Sequence, residues 1–313
     1  MVTQFLKGIL EMSKAQIFKR IAFIGFGLIN SSLARVVKRK GLATKIAAYS
    51  RSKKTRSKIE NLNIVDDLYS DASEAVREAD LVVLGVPLGA TKKIVSQFAP
   101  FLTSGAIITD VGSVKKSVLN SVLPLLPPDI HFVPAHPIAG TEKSGPESGY
   151  ETLFQGHWCI LTPTKNTNKE AILKVSKLWE SAGMEVAEMD AQYHDLVLAI
   201  TSHIPHLVAY SIVGTVSELE DHLKTEVMKY SAGGFRDFTR LAGSDPIMWR
   251  DVYSMNKEAV IEMLGRFTED LATLQKAIRN NDTKFLENVF SSTKKLRKHI
   301  EDIGQAGSFD PTE

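Results

Sequence analysis

Residues 21–39, IAFIGFGLINSSLARVVKR, constrain the fold more than any other stretch. An apolar run, a glycine turn and a helical pattern follow one another without a gap. Gly25 and Gly27 occupy the first two positions of G-x-G-x-x-G. The first glycine makes a tight turn and the second lets backbone approach a pyrophosphate. The helix then opens at Leu28 and Ile29, with its free amides toward the negative charge. Asn30 stands at the third position, where a glycine normally lets the helix lie close on the strand, so a slightly wider fit is expected. The other reading is a plain glycine-rich turn; what favours a dinucleotide site is the strand before it and the helix after it.

The pattern repeats. Strands are predicted at Arg20–Gly25, Lys45–Ser50, Leu81–Val86, Ala106–Asp110, His131–Ala135 and Trp158–Thr162. Helices are predicted at Asn30–Lys40, Lys54–Asn61 and Thr91–Phe98, and a last helix–strand pair at Lys169–Ala182 and Glu185–Glu188. Alternation of this kind implies an α/β fold, a doubly wound parallel sheet of Rossmann type. From Asp190 the chain is almost wholly helical in period, including Glu258–Ala277 and Lys284–Ile303. Two domains are therefore expected, 1–189 and 190–313.

Composition excludes several classes. A net charge of +2 argues against nucleic acid or an anionic membrane as partner. The single cysteine, Cys159 in HWCILTP, excludes an internal disulfide framework and reads as a core residue; no metal site is expected. No apolar run reaches the ~18 residues that crossing a bilayer takes, and the first 20 residues lack a signal-peptide pattern. They read as a lead-in, with Met12 an alternative start, and the cytoplasm is the expected location.

The second strand bears on which dinucleotide binds. An acidic residue about 20 positions past the glycines would take the ribose 2′-hydroxyl of NAD. The sequence there is YSRSKKTR, with no carboxylate. Ser50, Arg51 and Ser52 can instead donate to a 2′-phosphate, with Lys53, Lys54 and Arg56 adding charge, so NADP is favoured over NAD. A solvated basic turn is the alternative. The loops Val86–Thr91, with Pro87, and Thr109–Lys116, with Gly112, leave strand ends on the same rim, where ligands of open parallel sheets bind.

His136, in AHPIAGTEKSG, follows the strand ending near Ala135 and belongs to that rim. A neutral histidine can accept the proton of a hydroxyl whose carbon gives up hydride. Ser113, on the neighbouring loop, could orient the same hydroxyl. A structural histidine serving loop backbone is the alternative. In the helical half an ideal helix places Asp195, His203 and His206 within a sector of roughly 80°, with Pro205 expected to kink it. Arg236 and Arg240 stand at i, i+4 between glycine hinges, suited to a carboxylate or to surface pairs. Asp245 reads as a helix cap and Pro246 as the first helical residue.

Together GFGLINSSLA, DVGSVK, HPIAGTEKSG, WCILTP, HDLVLAITSHIPH and GGFRDFTRLAGSDPIMWRD resemble the prephenate dehydrogenase family, with its arogenate and cyclohexadienyl members. The resemblance implies oxidative decarboxylation of prephenate or arogenate with hydride transfer to NAD(P). It implies that His136 is the base, that Ser113 aligns the 4-hydroxyl and that Arg240 holds a substrate carboxylate. His203, His206 and Trp249 would line the pocket, with Thr141 and Glu142 its gate. It also implies a helical substrate-binding and dimerisation domain, hence a homodimer, with Asp237 reaching the neighbouring site. Tyrosine, if it inhibits, is expected to compete in the active site. No appended regulatory or chorismate mutase segment is evident. Two other classes compete: a Rossmann 3-hydroxy-acid dehydrogenase, which usually relies on a lysine, and a non-catalytic NADP sensor.

Overall fold

The computed structural model describes residues 16–302. Met12 and most of the lead-in, and Ile303 at the end of the last expected helix, lie outside the described residues. An eight-stranded sheet runs in the order β3-β2-β1-β4-β5-β6-β7-β8. Its strands are β1 (Phe18–Ile24), β2 (Ala43–Tyr49), β3 (Asp67–Tyr69), β4 (Leu81–Leu84), β5 (Ile107–Asp110), β6 (His131–Pro137), β7 (Trp158–Leu161) and β8 (Glu185–Glu188). Helices α1 (Leu28–Lys40), α2 (Lys53–Leu62), α3 (Ala72–Ala75), α4 (Thr91–Phe98), α5 (Lys116–Val122) and α6 (Lys169–Ser181) alternate with them.

Neighbouring strands are parallel with one departure from the expected pattern: β7 runs antiparallel to β6, pairing His136 with Ile160. A parallel return needs a crossover, usually a helix. The link from Pro137 to Trp158 holds only a short 3₁₀ turn at Pro146–Ser148, so the chain turns back on itself. β3 escaped the sequence reading because three residues carry no period.

Alternate residues of β1 feed opposite cores. Ile21 and Phe23 pack with Leu33, Val37, Ile59, Phe154 and Trp179. Ala22 and Ile24 pack with Val95, Phe98, Ile108 and Val118, and also with Trp249 and Val252. Both faces of the strand are dry, which is why it reads as one unbroken apolar run. Each buried large side chain contributes about 1.5–3 kcal/mol of transfer free energy. Cys159 is fully buried, as expected, and burial pushes its thiol up.

After β8 the chain is helical: α7 (Ala191–Leu198), a π-helical turn (Ala199–His203), α8 (Ile204–Ser217), α9 (Asp221–Lys229), α10 (Gly233–Thr239), α11 (Pro246–Met255), α12 (Lys257–Arg279) and α13 (Thr283–Asp302). The kink expected at Pro205 takes the form of the π turn, in which the Ile204 amide donates to Ala199 O, five residues back. A wide turn absorbs the missing proline amide but inserts a residue, so the ideal angular sector for Asp195, His203 and His206 no longer holds as calculated. Asp245 caps α11 as expected, its Oδ1 accepting from the Ile247 and Met248 amides at 2.8 and 2.9 Å.

By compactness the chain divides at Val260. The second unit contains the rest of α12 and α13, and no residue of α13 is buried. The stretch Ala191–Ser217 reaches a mean hydropathy of 1.6 and is long and apolar enough to cross a membrane by length and composition. The uninterrupted-run criterion passed over it because His194, Asp195 and His203 break the apolar pattern, and all three are buried inside the protein.

Candidate active site

At the glycine turn, Gly25 has φ +86°, and a Cβ there would lie 2.7 Å from Gly85 O. A side chain is excluded on both counts. Gly27 is different: a Cβ would meet no atom within 4 Å, so open space adjoins the start of α1. That helix has no side-chain cap and no acid in its first turn. An uncapped, positively polarised helix end beside open space fits a pyrophosphate. Leu28 is buried and Ile29 half-buried at this end.

Asn30 corrects the expectation of a wider fit. It is buried, and its Nδ2 donates to Gly25 O at 2.7 Å. Space for it comes from Gly85 at the end of β4, where a Cβ would collide with Nδ2 at 2.3 Å. The small residue stands just after β4 rather than on the helix, and the Asn30 amide clamps the turn.

Around the expected 2′-phosphate position, Ser50 is buried and Arg51 and Ser52 are exposed. Ser52 caps α2, accepting from the Thr55 amide at 3.2 Å. Arg56 donates to Ser50 O and Arg51 O at 2.8 and 3.0 Å, so it braces the turn from beneath. No acid sits in the first turn of α2. On the other rim loops, Val86 is half-buried, Pro87 exposed and Thr91 buried. The Gly112 amide donates to Asp110 Oδ2 at 2.9 Å.

His136 sits in β6 with its Nδ1 2.9 Å from Nε2 of His194. His194 in turn places Nδ1 2.8 Å from Asp195 Oδ1. The Asp195 carboxylate also accepts the amides of Lys115 at 2.8 Å and Lys116 at 3.0 Å, at the start of α5. Behind His136, the fully buried Lys115 places Nζ 2.5 Å from Asp110 Oδ2 and 2.6 Å from Ala135 O. Breaking such a buried pair would leave an uncompensated charge, at about 3–5 kcal/mol. Burial, then His194, Lys115 and His203, holds His136 well below its usual value, so its ring is neutral near pH 7.

Ser113 is half-buried, two residues before Lys115. His203 is buried; Asn256 Nδ2 donates to its Nδ1 at 3.1 Å and to Asp195 O at 2.8 Å. Burial drives His203 down to about 4. With Nδ1 accepting, Nε2 carries the proton, and that buried donor has no partner. The indole Nε1 of Trp249 is likewise buried and unpartnered. His206 stacks on Trp249 at 3.8 Å between ring centroids and points Nδ1 at Ser202 O, 2.9 Å away. Two idle buried donors beside an aromatic stack are what a polar ligand would satisfy.

Arg240 begins the 3₁₀ turn after α10, and its Nη1 lies 3.3 Å from Glu142 Oε2, an exposed pair. Thr141 and Glu142 border an open cleft of about 610 Å³ with Lys143, Ser148 and Tyr150. Asp237 and Arg236 are exposed on α10. Sequence reasoning did not single out Asp110, Lys115, His194, Asp251 or Asn256. Two signals pointed to the first three: a buried-looking Asp and Lys within TDVGSVKK, and the His–Asp pair opening an apolar helix.

Comparison with known proteins meets this geometry from the other side. Residues 33–188 match the family model described as prephenate dehydrogenase, nucleotide-binding domain, and 190–292 the one described as prephenate dehydrogenase, dimerization domain. The chain belongs to the prephenate dehydrogenase family. It is 43% identical to the cyclohexadienyl dehydrogenase of Zymomonas mobilis over 90% of this chain and 96% of that one. The solved prephenate dehydrogenase of Aquifex aeolicus, in complex with hydroxyphenyl propionate and NAD⁺, superposes with a TM-score of 0.84 at 34% identity, covering 90% of this chain and 98% of that one. The arogenate dehydrogenase of Synechocystis gives 0.76 at 27% identity, over 90% and 99%. Membership in this family makes the chain an oxidoreductase, with a nicotinamide cofactor matched to its nucleotide-binding domain.

Proposed function

We propose that the chain oxidatively decarboxylates prephenate, arogenate or both, giving 4-hydroxyphenylpyruvate or tyrosine, with NADP favoured as hydride acceptor. The observation that carries this reading is His136: neutral, at the C-terminal end of a sheet strand, with Nδ1 engaged and Nε2 left for substrate.

Gly25, Gly27, Leu28 and Ile29 would hold the pyrophosphate, with Val86, Pro87, Thr91 and Gly112 forming the opposite rim. Ser50, Arg51 and Ser52 would hold a 2′-phosphate. A bound nicotinamide would supply the acceptor for the hydride leaving C4 of the substrate. His136 Nε2 takes the 4-hydroxyl proton as the carbonyl forms, and Ser113 orients that hydroxyl. The electron pair of the C1–carboxylate bond then enters the ring, carbon dioxide departs, the ring becomes aromatic and the phenolate oxygen takes the proton back from His136. Arg240 holds a substrate carboxylate. His203, His206 and Trp249 line the pocket with the two idle donors described above, and Thr141 and Glu142 close it.

The functional division falls near 189, between a dinucleotide-binding part and a helical substrate-binding and dimerisation part. A homodimer would cover the apolar side chains that α8 and α13 expose, among them Ile212, Phe290 and Leu296, with Asp237 reaching the neighbouring site. If tyrosine inhibits, it would do so by competing with substrate in the active site, and the cytoplasm is where these substrates would be met. The deciding experiment follows absorbance at 340 nm with NADP or NAD, each with prephenate or arogenate. Reduction in any cuvette establishes the reaction and the rate ratios rank substrates and cofactors. Four flat traces from folded, cofactor-binding protein would overturn the reading.

A further inference from the structure

The hydrogen-bond chain Asp195–His194–His136 can be read atom by atom. Amides donate only, so the Asp195 carboxylate, with two amides on it, is an acceptor. His194 therefore carries its proton on Nδ1 and leaves Nε2 bare. His136 must then donate from Nδ1 into that lone pair. Each tautomer follows from the one before, and the chain ends with a bare Nε2 on His136.

The two rings differ in what faces them. Around His136 stand His194, Lys115 of the β5–α5 loop and His203 of the π turn, and every one of these disfavours a positive charge. Burial disfavours the charge on both rings, but around His194 stand Asp195 of α7 and Asp110 of β5, which favour it, against Lys115. A proton arriving at His136 is thus in the worse of two places, 2.9 Å from a better one.

We propose that His136 and His194 act as a proton-holding pair, in which the charge taken up at His136 comes to rest on His194 against Asp195. In the step, the substrate O–H bond breaks and an H–Nε2 bond forms on His136. The His136 Nδ1–H bond breaks and an H–Nε2 bond forms on His194. His194 keeps its Nδ1 proton on Asp195, which remains a carboxylate throughout. His136 ends as a neutral ring of the opposite tautomer and His194 as the imidazolium. Because His194 is fully buried, the proton returns by the reverse path through His136 to the phenolate oxygen that decarboxylation leaves on the product. His194 is a positioning residue, acting on substrate only through His136. This inference rests on the functional reading for its chemistry, not for the pair itself.

The test has an arm that needs no turnover. In ¹⁵N imidazole spectra of the whole protein, both rings are expected as Nδ1–H tautomers, and on acidification His194 gains its proton before His136. An Nε2–H tautomer at His136, or protonation of His136 first, overturns the proposal. In the kinetic arm, a proton inventory of kcat in H₂O/D₂O mixtures is expected to be curved for the native enzyme and linear for His194→Asn. That variant should lose about 10–100-fold in kcat, with substrate KM and cofactor Kd within about twofold. The acid limb of its pH profile should move to lower pH, since the proton has lost its better resting place. Asp195→Asn should move the limb the same way and serves if His194→Asn does not fold. A linear native inventory with an unmoved limb overturns the proposal. Failure of all turnover with the expected ¹⁵N order would count against the reaction assigned and leave the pair standing.

Discussion

The Asp251 carboxylate, on the helix that carries Trp249, accepts the amide proton of Gly89 in the rim loop after β4, at 3.0 Å and across 162 residues of chain. Its other oxygen holds Arg250 at 2.7 and 3.0 Å. One side chain thus ties the loop after β4, the proposed cofactor side, to α11, the proposed substrate side. Asp251→Ala should raise KM for both cofactor and substrate and lower stability by about 0.5–1.5 kcal/mol, the net worth of a part-buried hydrogen bond. Gly89→Ala should act in the same direction, because its Cβ would sit 2.8 Å from Asp251 Oδ2. If steady-state kinetics show neither KM moved, the contact stabilises without linking the two sides.

Asn30→Ala deprives Gly25 O of its donor. Urea unfolding should show a loss of about 1–3 kcal/mol, and fluorescence titration a weaker affinity for the cofactor. Asn30→Asp should be at least as harmful, since a carboxylate cannot donate to a carbonyl. Unchanged cofactor affinity in both would remove Asn30 from the pyrophosphate turn.

Arg51→Asp should turn cofactor preference toward NAD, because a carboxylate repels a 2′-phosphate and accepts from a 2′-hydroxyl. The ratio of kcat/KM for NADP to that for NAD is the readout. A ratio that stays put places recognition of the 2′ position elsewhere.

Arg240→Gln should raise substrate KM by about 10-fold or more with kcat little changed, as expected for a contact made equally in ground and transition states. Glu142→Gln should do the reverse in a small way, freeing Arg240 from its exposed partner. Its unfolding free energy should stay within about 1 kcal/mol of the native value. A large kcat loss in Arg240→Gln with normal KM would assign the arginine to the chemical step.

Histidines held below their unfolded values make stability depend on pH in one direction. Burial lowers His136, His194, His203 and His206, with His203 at about 4. Below an unfolded value of about 6.5 the unfolded chain binds protons that the native rings refuse, so stability falls as pH falls. For His203 the window runs from about 6.5 down to about 4, with a slope approaching about 1.4 kcal/mol per pH unit. Urea midpoints should drop between pH 7.5 and 5, and His203→Gln should show the shallower dependence. Equal slopes would mean that His203 titrates normally.

The sequence by itself determined what short-range forces decide. A glycine at φ +86°, an apolar run followed by a helical period, and Asp245 ahead of Pro246 are settled within a few residues by sterics and local hydrogen bonds. The nucleotide-binding half and His136 as candidate base were legible for that reason. Tertiary structure decided the rest. His194 meets His136 across 58 residues and Asn256 reaches Asp195 across 61. The return of β7 against β6 and the π turn before Pro205 depend on how the chain closes and packs. Which buried polar atoms find one another is set by that packing, and no periodicity along the chain encodes it.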